Sequence, residues 1–217
     1  MNGFSPSERS RVRRVHERAH YDRATIYPIL DAGFLCHVGY VIDGQPYVTP
    51  TCYWRDGDRL YWHGSSASRM LRTVSDAVPV CFTVSHLDGI VLARSGFHSS
   101  INYRSVMAFG HAKAIDDPKA KLTSLEDFVD RLHPGRWQEL RPVNAQELKG
   151  TTVVAMEIEE ASAKVRTGPP KDDEEDYALG VWAGVLPIRM VTGAAEPDPR
   201  LKAGTAAPGY LDRLPLP

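Results

Sequence analysis

Cysteine is scarce in this chain and poorly spaced for cross-linking or metal binding. There are only three, Cys36, Cys52 and Cys81, far apart and each inside a run that reads as a strand. A metal site needs Cys-x-x-Cys or histidine partners at matching spacing, and neither is present. Buried, reduced thiols are therefore expected, in keeping with an intracellular protein. An excess of charge of one sign is also lacking. Lys and Arg number 26 against 27 Asp and Glu, a net charge of -1 that supplies no surplus of cations for nucleic-acid phosphates. No apolar run approaches the roughly 20 residues that cross a bilayer. The polar, basic N-terminus has no apolar core of a signal peptide. Nucleic-acid and membrane partners are set aside, and a cytoplasmic location is expected.

What is present is an ordinary globular balance, 42% apolar and 24% charged over 217 residues, enough for one sizeable domain. Three segments are expected: a helical N-terminal arm over 1–33, a main domain over 34–190, and a Pro-, Gly- and Ala-rich tail over 191–217 that leans on something else. The first 23 residues carry Arg9, Arg11, Arg13, Arg14, Arg18 and Arg23 against Glu8, Glu17 and Asp22. This stretch reads as the solvated face of an N-terminal helix, the alternative being an arm for an anionic partner. Thr25 to Leu30 reads as a short helix stopped by Ala32-Gly33.

Strands with clear turn chemistry follow. Phe34 to Ile42 and Tyr47 to Trp54 flank Asp43-Gly44, a pair suited to the positive φ angles of a tight hairpin. Asp56-Gly57-Asp58 turns into a third strand, Arg59 to His63. Helical spacing of Met70, Leu71 and Val74 then places a helix over Ser66 to Asp76, with Ser65, Ser66 or Ser68 as its cap. Val80 to His86 and Ile90 to Phe97 read as a hairpin around Asp88-Gly89, and Ser105 to Ile115 as a long strand. Lys119 to Leu132 is amphipathic, with Leu122, Leu125, Phe128, Val129 and Leu132 on one stripe. Thr152 to Glu159 alternates, Val154, Met156 and Ile158 facing one way. The acidic run 172–176 is expected to stay solvated. About six strands in hairpin order predict a mainly β fold with peripheral helices, an antiparallel barrel whose closure removes exposed edges.

The junction His63 to Arg69 carries the sharpest chemical signal. A helix N-terminus presents unpaired N–H groups, Gly64 permits close backbone approach, serine hydroxyls donate, and Arg69 can grip a phosphate through a fork of N–H groups. The plain alternative is a serine-capped helix with a surface arginine.

Five separated motifs carry a wider resemblance: Cys36-His37-Val38-Gly39-Tyr40, Gly44 to Thr51 (GQPYVTPT), Leu60 to Ser65 (LYWHGS), Ala67-Ser68-Arg69-Met70-Leu71, and Asn102-Tyr103-Arg104-Ser105-Val106. In this order, within a stretch from about Tyr21 to Pro187, they resemble the pyridoxamine 5'-phosphate oxidase-like flavoproteins, in the branch of the nitroimidazole-resistance reductases. The resemblance implies a six-stranded antiparallel split β-barrel that forms a homodimer with FMN between the subunits. It also implies an oxidoreductase that passes electrons from a reduced donor to a small organic acceptor such as a nitroaromatic. Val48, Thr49, Pro50 and Thr51 match the strand along the isoalloxazine ring. Ser68 and Arg69 match phosphate ligands, with Ser65 and Ser66 beside them. Tyr103, Arg104 and Ser105 match polar contacts to the cofactor, and Trp182 a late aromatic that closes over it. His63 matches a histidine implicated in catalysis, where an imidazole could protonate an acceptor or position it; the alternative is a strand-end cap. The basic cluster that holds the phosphate of a vitamin-B6 substrate is not recognisable. Two other readings stay open: a non-catalytic flavin carrier, and a haem-binding barrel with His63 or His98 as ligand. His37, mid-strand, reads as a core or interface residue.

Overall fold

Residues 3–212 are described in a computed structural model of the chain. A short strand β1 (Ala19–His20) leads to helix α1 (Arg23–Asp31), whose cap Asp22 accepts the Thr25 N–H at 2.8 Å. Strands β2 (Leu35–Ile42) and β3 (Gln45–Asp56) join across Asp43 and Gly44, at φ 50° and 78°, the left-handed pair that the hairpin requires. Gly57, at φ 55°, turns the chain into β4 (Arg59–Ser65). Then come α2 (Arg69–Val74), β5 (Val78–Leu92), β6 (Ser100–Ala114), α3 (Pro118–Leu132), α4 (Ala145–Gly150), β7 (Thr151–Glu157), β8 (Glu160–Arg166) and β9 (Gly184–Pro187).

The strands run in the order β1-β8-β6-β7-β4-β3-β2-β5-β9, and β5 also pairs with β6. That second pairing closes β2, β3, β4, β7, β6 and β5 into the six-stranded antiparallel split barrel. The split is visible on β6, which pairs with β8 over Tyr103–Phe109 and with β7 over Ala112–Ala114. Inside the ring, alternate residues of each strand meet in one core that includes Val38, Tyr53, Leu60, Trp62, Phe82, Val106 and Met156. Val154, Met156 and Ile158 lie in this core, as their alternation predicts. A second, smaller cluster lies outside the ring, where Leu125 and Phe128 of α3 cover Trp54, Tyr61 and Val153.

Several expectations are corrected. Asp88-Gly89 makes no hairpin: β5 continues through it as one 15-residue strand with a bulge between Leu87 and Gly89. Both flanks pair with β6, and Gly89 is needed for close approach instead. A Cβ there would lie 3.0 Å from Val185 Cγ1 and 3.1 Å from the Leu186 oxygen on β9. No α-helix precedes Arg23 among the described residues; only a 3-10 turn, His16–Arg18, interrupts an irregular arm. Arg9 and Ser10 of that arm are tied to Glu160, each at 2.7 Å, and Phe4 N–H donates to the Tyr21 oxygen at 2.8 Å. The acidic run is not wholly solvated, because the Asp172 carboxylate is buried and bonded to Arg94 at 3.0 Å. Cys52 is exposed, Cys81 half-buried and only Cys36 buried, where desolvation pushes its thiol pKa well up. His37 is exposed on the outer face of β2 and so is no core residue. Of the expected tail, residues 213–217 lie outside the described residues; Tyr210 packs on His133 and bonds Arg136 at 3.0 Å. No described helix is long and apolar enough to cross a membrane.

Candidate functional site

The site starts from a free strand edge. In an antiparallel pair, hydrogen-bonded and non-bonded positions alternate. Tyr53 N–H donates to the Phe34 oxygen at 3.1 Å, so Thr51, Thr49 and Tyr47 also turn their backbone groups towards β2. Pro46, Val48, Pro50 and Cys52 turn theirs away, towards the side where β4 would lie. β4, however, pairs with β3 only over Tyr53–Asp56. The barrel therefore opens beside residues 46–52. Prolines belong on such an edge, because they leave no N–H unpaired. What remains there are the Val48 and Cys52 N–H groups and the Val48 and Pro50 carbonyls, since the Tyr53–Trp62 pairing uses the Cys52 carbonyl. Side chains alternate accordingly. Val48 and Pro50 are exposed, whereas Thr49 points inward and shares a 3.1 Å hydrogen bond with the Tyr40 hydroxyl.

The β4–α2 junction lies against this opening. The Arg69 guanidinium sits 4.5 Å from the Tyr47 ring centroid, and Tyr47 stacks on Tyr40 at 5.7 Å. Ser68 caps α2, its hydroxyl accepting from Leu71 N–H at 3.5 Å, and the Ser65 hydroxyl accepts from Ala67 N–H at 3.2 Å. Ser66 N–H is spent on the Gly150 oxygen at 2.8 Å. The capped helix is thus real, and the Arg69 fork stays exposed at its start. Motif spacing alone did not signal Tyr47, which positions that fork.

His63 lies outside the ring, beneath α3. The Phe128 ring is 4.6 Å away and the Trp54 ring 5.8 Å away, while Nδ1 is buried without a hydrogen-bond partner. Burial holds its pKa below the ordinary histidine value of 6.5, so the imidazole is neutral at neutral pH. The unfolded chain binds the proton more readily, so stability falls as pH drops from 6.5 through the folded value. His63→Leu should flatten that loss. Denaturation midpoints at about pH 7.5 and about pH 5.5 measure it, and identical slopes for the variant and the parent would refute the assignment.

Tyr103, Arg104 and Ser105 lie elsewhere on the sheet. Arg104 grips Asp88 through two 3.0 Å bonds, and the Ser105 hydroxyl donates to the Lys164 oxygen at 3.3 Å. Strands β5 and β2 stand between them and β3, so one chain does not join them to Ser65–Arg69. Arg104 lines its own cleft of about 530 Å³ with His86, Asp88 and Arg189. Trp182 is 65% exposed and folds back over Gly184, where a Cβ would meet its ring at 2.9 Å. His98, on the β5–β6 loop, lies 3.2 Å from Asp173 Oδ2 without hydrogen-bond alignment.

The arrangement suits a planar cofactor with a polar edge and a phosphate: backbone donors and acceptors on one side, a guanidinium and hydroxyls at the end. The comparisons agree in fold. The model of the pyridoxamine 5'-phosphate oxidase family matches residues 22–165. The flavocytochrome Anf3 from Azotobacter vinelandii is 50% identical, with a TM-score of 0.93 over 97% of this chain and 98% of that one. A protein from Mycobacterium smegmatis described as binding FAD and heme is 38% identical, with a TM-score of 0.87 over 91% and 97%. A putative 5-nitroimidazole antibiotic resistance protein from Bacteroides thetaiotaomicron is 22% identical, with a TM-score of 0.55 over 68% and 86%, a likeness of fold alone. Among curated proteins no match was obtained.

Proposed function

The chain belongs to the pyridoxamine 5'-phosphate oxidase family, and from that premise we propose that it is a flavin-binding redox protein. The observation that carries this reading is the unpaired β3 edge at residues 46–52, with Arg69 held over Tyr47 at its end. Val48 N–H and the neighbouring carbonyls would meet the polar edge of the isoalloxazine. Arg69, with the Ser65, Ser66 and Ser68 hydroxyls, would hold the phosphate. A bound flavin supplies hydride and electron transfer, and the protein supplies position and burial. In this reading His63, neutral and walled by aromatic rings, would take up or give a proton. The flavin is FMN on the motif resemblance, whereas the Mycobacterium smegmatis relative is described as binding FAD.

A homodimer completes the site in this reading. Leu35 and Val48, 57% and 67% exposed, lie on an outer face that a second copy would cover, bringing in Tyr103–Ser105. The second reading adds haem to the flavin in a cytoplasmic oxidoreductase. It is favoured by the two more similar relatives, one a flavocytochrome and the other binding FAD and heme. It is also favoured by an uncharged imidazole at His63, the protonation state that ligates iron; His98 is the other candidate.

One preparation tests these points. The purified protein should be coloured, with flavin bands, and a Soret band if haem is present. Extraction and chromatography then identify the flavin. Light scattering should give twice the 24.1 kDa chain mass. A colourless protein that takes up neither FMN nor FAD would overturn the flavin reading. Reduction of the bound flavin by no donor would leave a carrier and not an enzyme.

A further inference from the structure

A second cleft, of about 420 Å³, lies between the His16–Arg18 turn, the 97–100 loop and the end of β8. Arg18, Arg166 and Lys171 line it, together with Phe97, Ser100 and Glu17. Arg166 is only 8% exposed. Its guanidinium donates to two neutral oxygens, the Asn102 side-chain carbonyl and the Pro169 backbone oxygen, the latter at 3.4 Å. Asn102, itself buried, also donates to the Gly168 oxygen at 3.0 Å, so the arginine is held in a fixed frame. Among the described residues no carboxylate forms an ion pair with Arg166: Asp172 pairs with Arg94 at 3.0 Å, Asp173 lies 3.2 Å from His98, and Glu17, on the cleft wall, makes no ion pair. A buried cation without a counter-charge is costly. Burial and then the neighbouring Arg18 charge hold the Arg166 pKa below its ordinary value. At the same cleft, Phe97 is 90% exposed and edge-on to His98 at 5.2 Å. An unpacked aromatic beside a cationic pocket offers a ring face to a heterocycle.

We propose that this cleft binds a nucleotide-like small molecule, its phosphate held by Arg166, Arg18 and Lys171 and its heterocycle laid on Phe97. The volume is within the range of small-ligand pockets. The inference goes beyond the flavin reading, since it uses Arg18 of the N-terminal turn, Arg166 of β8, Lys171 beyond it and Phe97 of the β5–β6 loop, and none of the β3 edge; His98, the alternative haem ligand, lies on the same cleft wall.

Calorimetry on the full-length protein as isolated, with AMP and with inorganic phosphate at low salt, tests it. AMP should bind saturably and more tightly than phosphate. Arg166→Gln should weaken both by about tenfold or more. Because that variant also disturbs the Asn102 frame, Arg18→Ala and Lys171→Ala serve as independent probes, each expected to cost severalfold. Phe97→Ala should weaken AMP and spare phosphate. Unsaturable AMP binding, AMP no tighter than phosphate, or full affinity in both Arg18→Ala and Lys171→Ala would each overturn the proposal. Flavin content of the same variants separates the two sites. Retention at the parent level supports this cleft as a separate one, and loss would assign it to the cofactor and overturn the inference.

Discussion

Replacing Arg69 with alanine should weaken flavin binding by roughly ten- to a hundredfold, the equivalent of one lost charge-assisted contact of about 1.5–3 kcal/mol. Two features support so large an effect from an exposed residue. The guanidinium is already placed over Tyr47, 4.5 Å from its ring, so little side-chain freedom remains to be lost on binding. The serine hydroxyls at Ser65 and Ser68 are partly occupied by capping bonds, which leaves Arg69 as the main source of charge at the junction. Arg69→Lys should fall between, keeping the charge and losing the planar fork and the stacking. Fluorescence titration of the flavin-stripped protein with FMN and FAD gives the constants. Thermal unfolding should hardly move, because the side chain lies on the surface. An unchanged flavin affinity in Arg69→Ala would mean that α2 is only a capped helix and that the phosphate is held elsewhere.

The largest stability effect is expected at Gly110. This residue sits where β6 passes from β8 to β7, between Phe109, paired with Glu160, and Ala112, paired with Met156. A Cβ at Gly110 would overlap the Glu157 carbonyl oxygen and lie 2.8 Å from Met156 Cγ. The first of these neighbours is backbone, which cannot rotate aside. Gly110→Ala should therefore cost about 3 kcal/mol or more, the upper end of overpacking penalties. For a chain of this size that lowers the midpoint of thermal unfolding by roughly 6–12 °C. Gly96→Ala is the control, since nothing lies within 4 Å of its added Cβ. Equal midpoints for the two variants would contradict the close crossing at the split.

The features legible in the sequence are those fixed by a few neighbouring residues. Asp43-Gly44 carries its positive φ angles with it and makes the hairpin it predicts. The apolar stripe of α3 and the alternation of β7 likewise need no knowledge of distant partners. Asp88-Gly89 has the same local chemistry and makes no hairpin, because β6 pairs with both of its flanks and β9 packs on the glycine. β8 was illegible for a related reason. Its Ala161, Ser162 and Ala163 are all buried, so no alternation marks a strand covered on both faces.

The candidate site divides in the same way. Pro46 and Pro50, which carry no N–H, announce an edge of β3 that is not fully paired, and Ser68 announces the cap of α2. That these two features face one another, with Arg69 over Tyr47, follows only from the divergence of β3 and β4 beyond Tyr53. The separation of Tyr103–Ser105 from that opening is a matter of strand order, which no local pattern contains. The buried charge of Arg166 is also invisible in the chain, where it reads as one more basic residue. Backbone angles and side-chain periodicity are short-range properties and can be read along the sequence; burial, pairing and the meeting of charges depend on contacts between residues far apart in it, which arise only when the barrel closes.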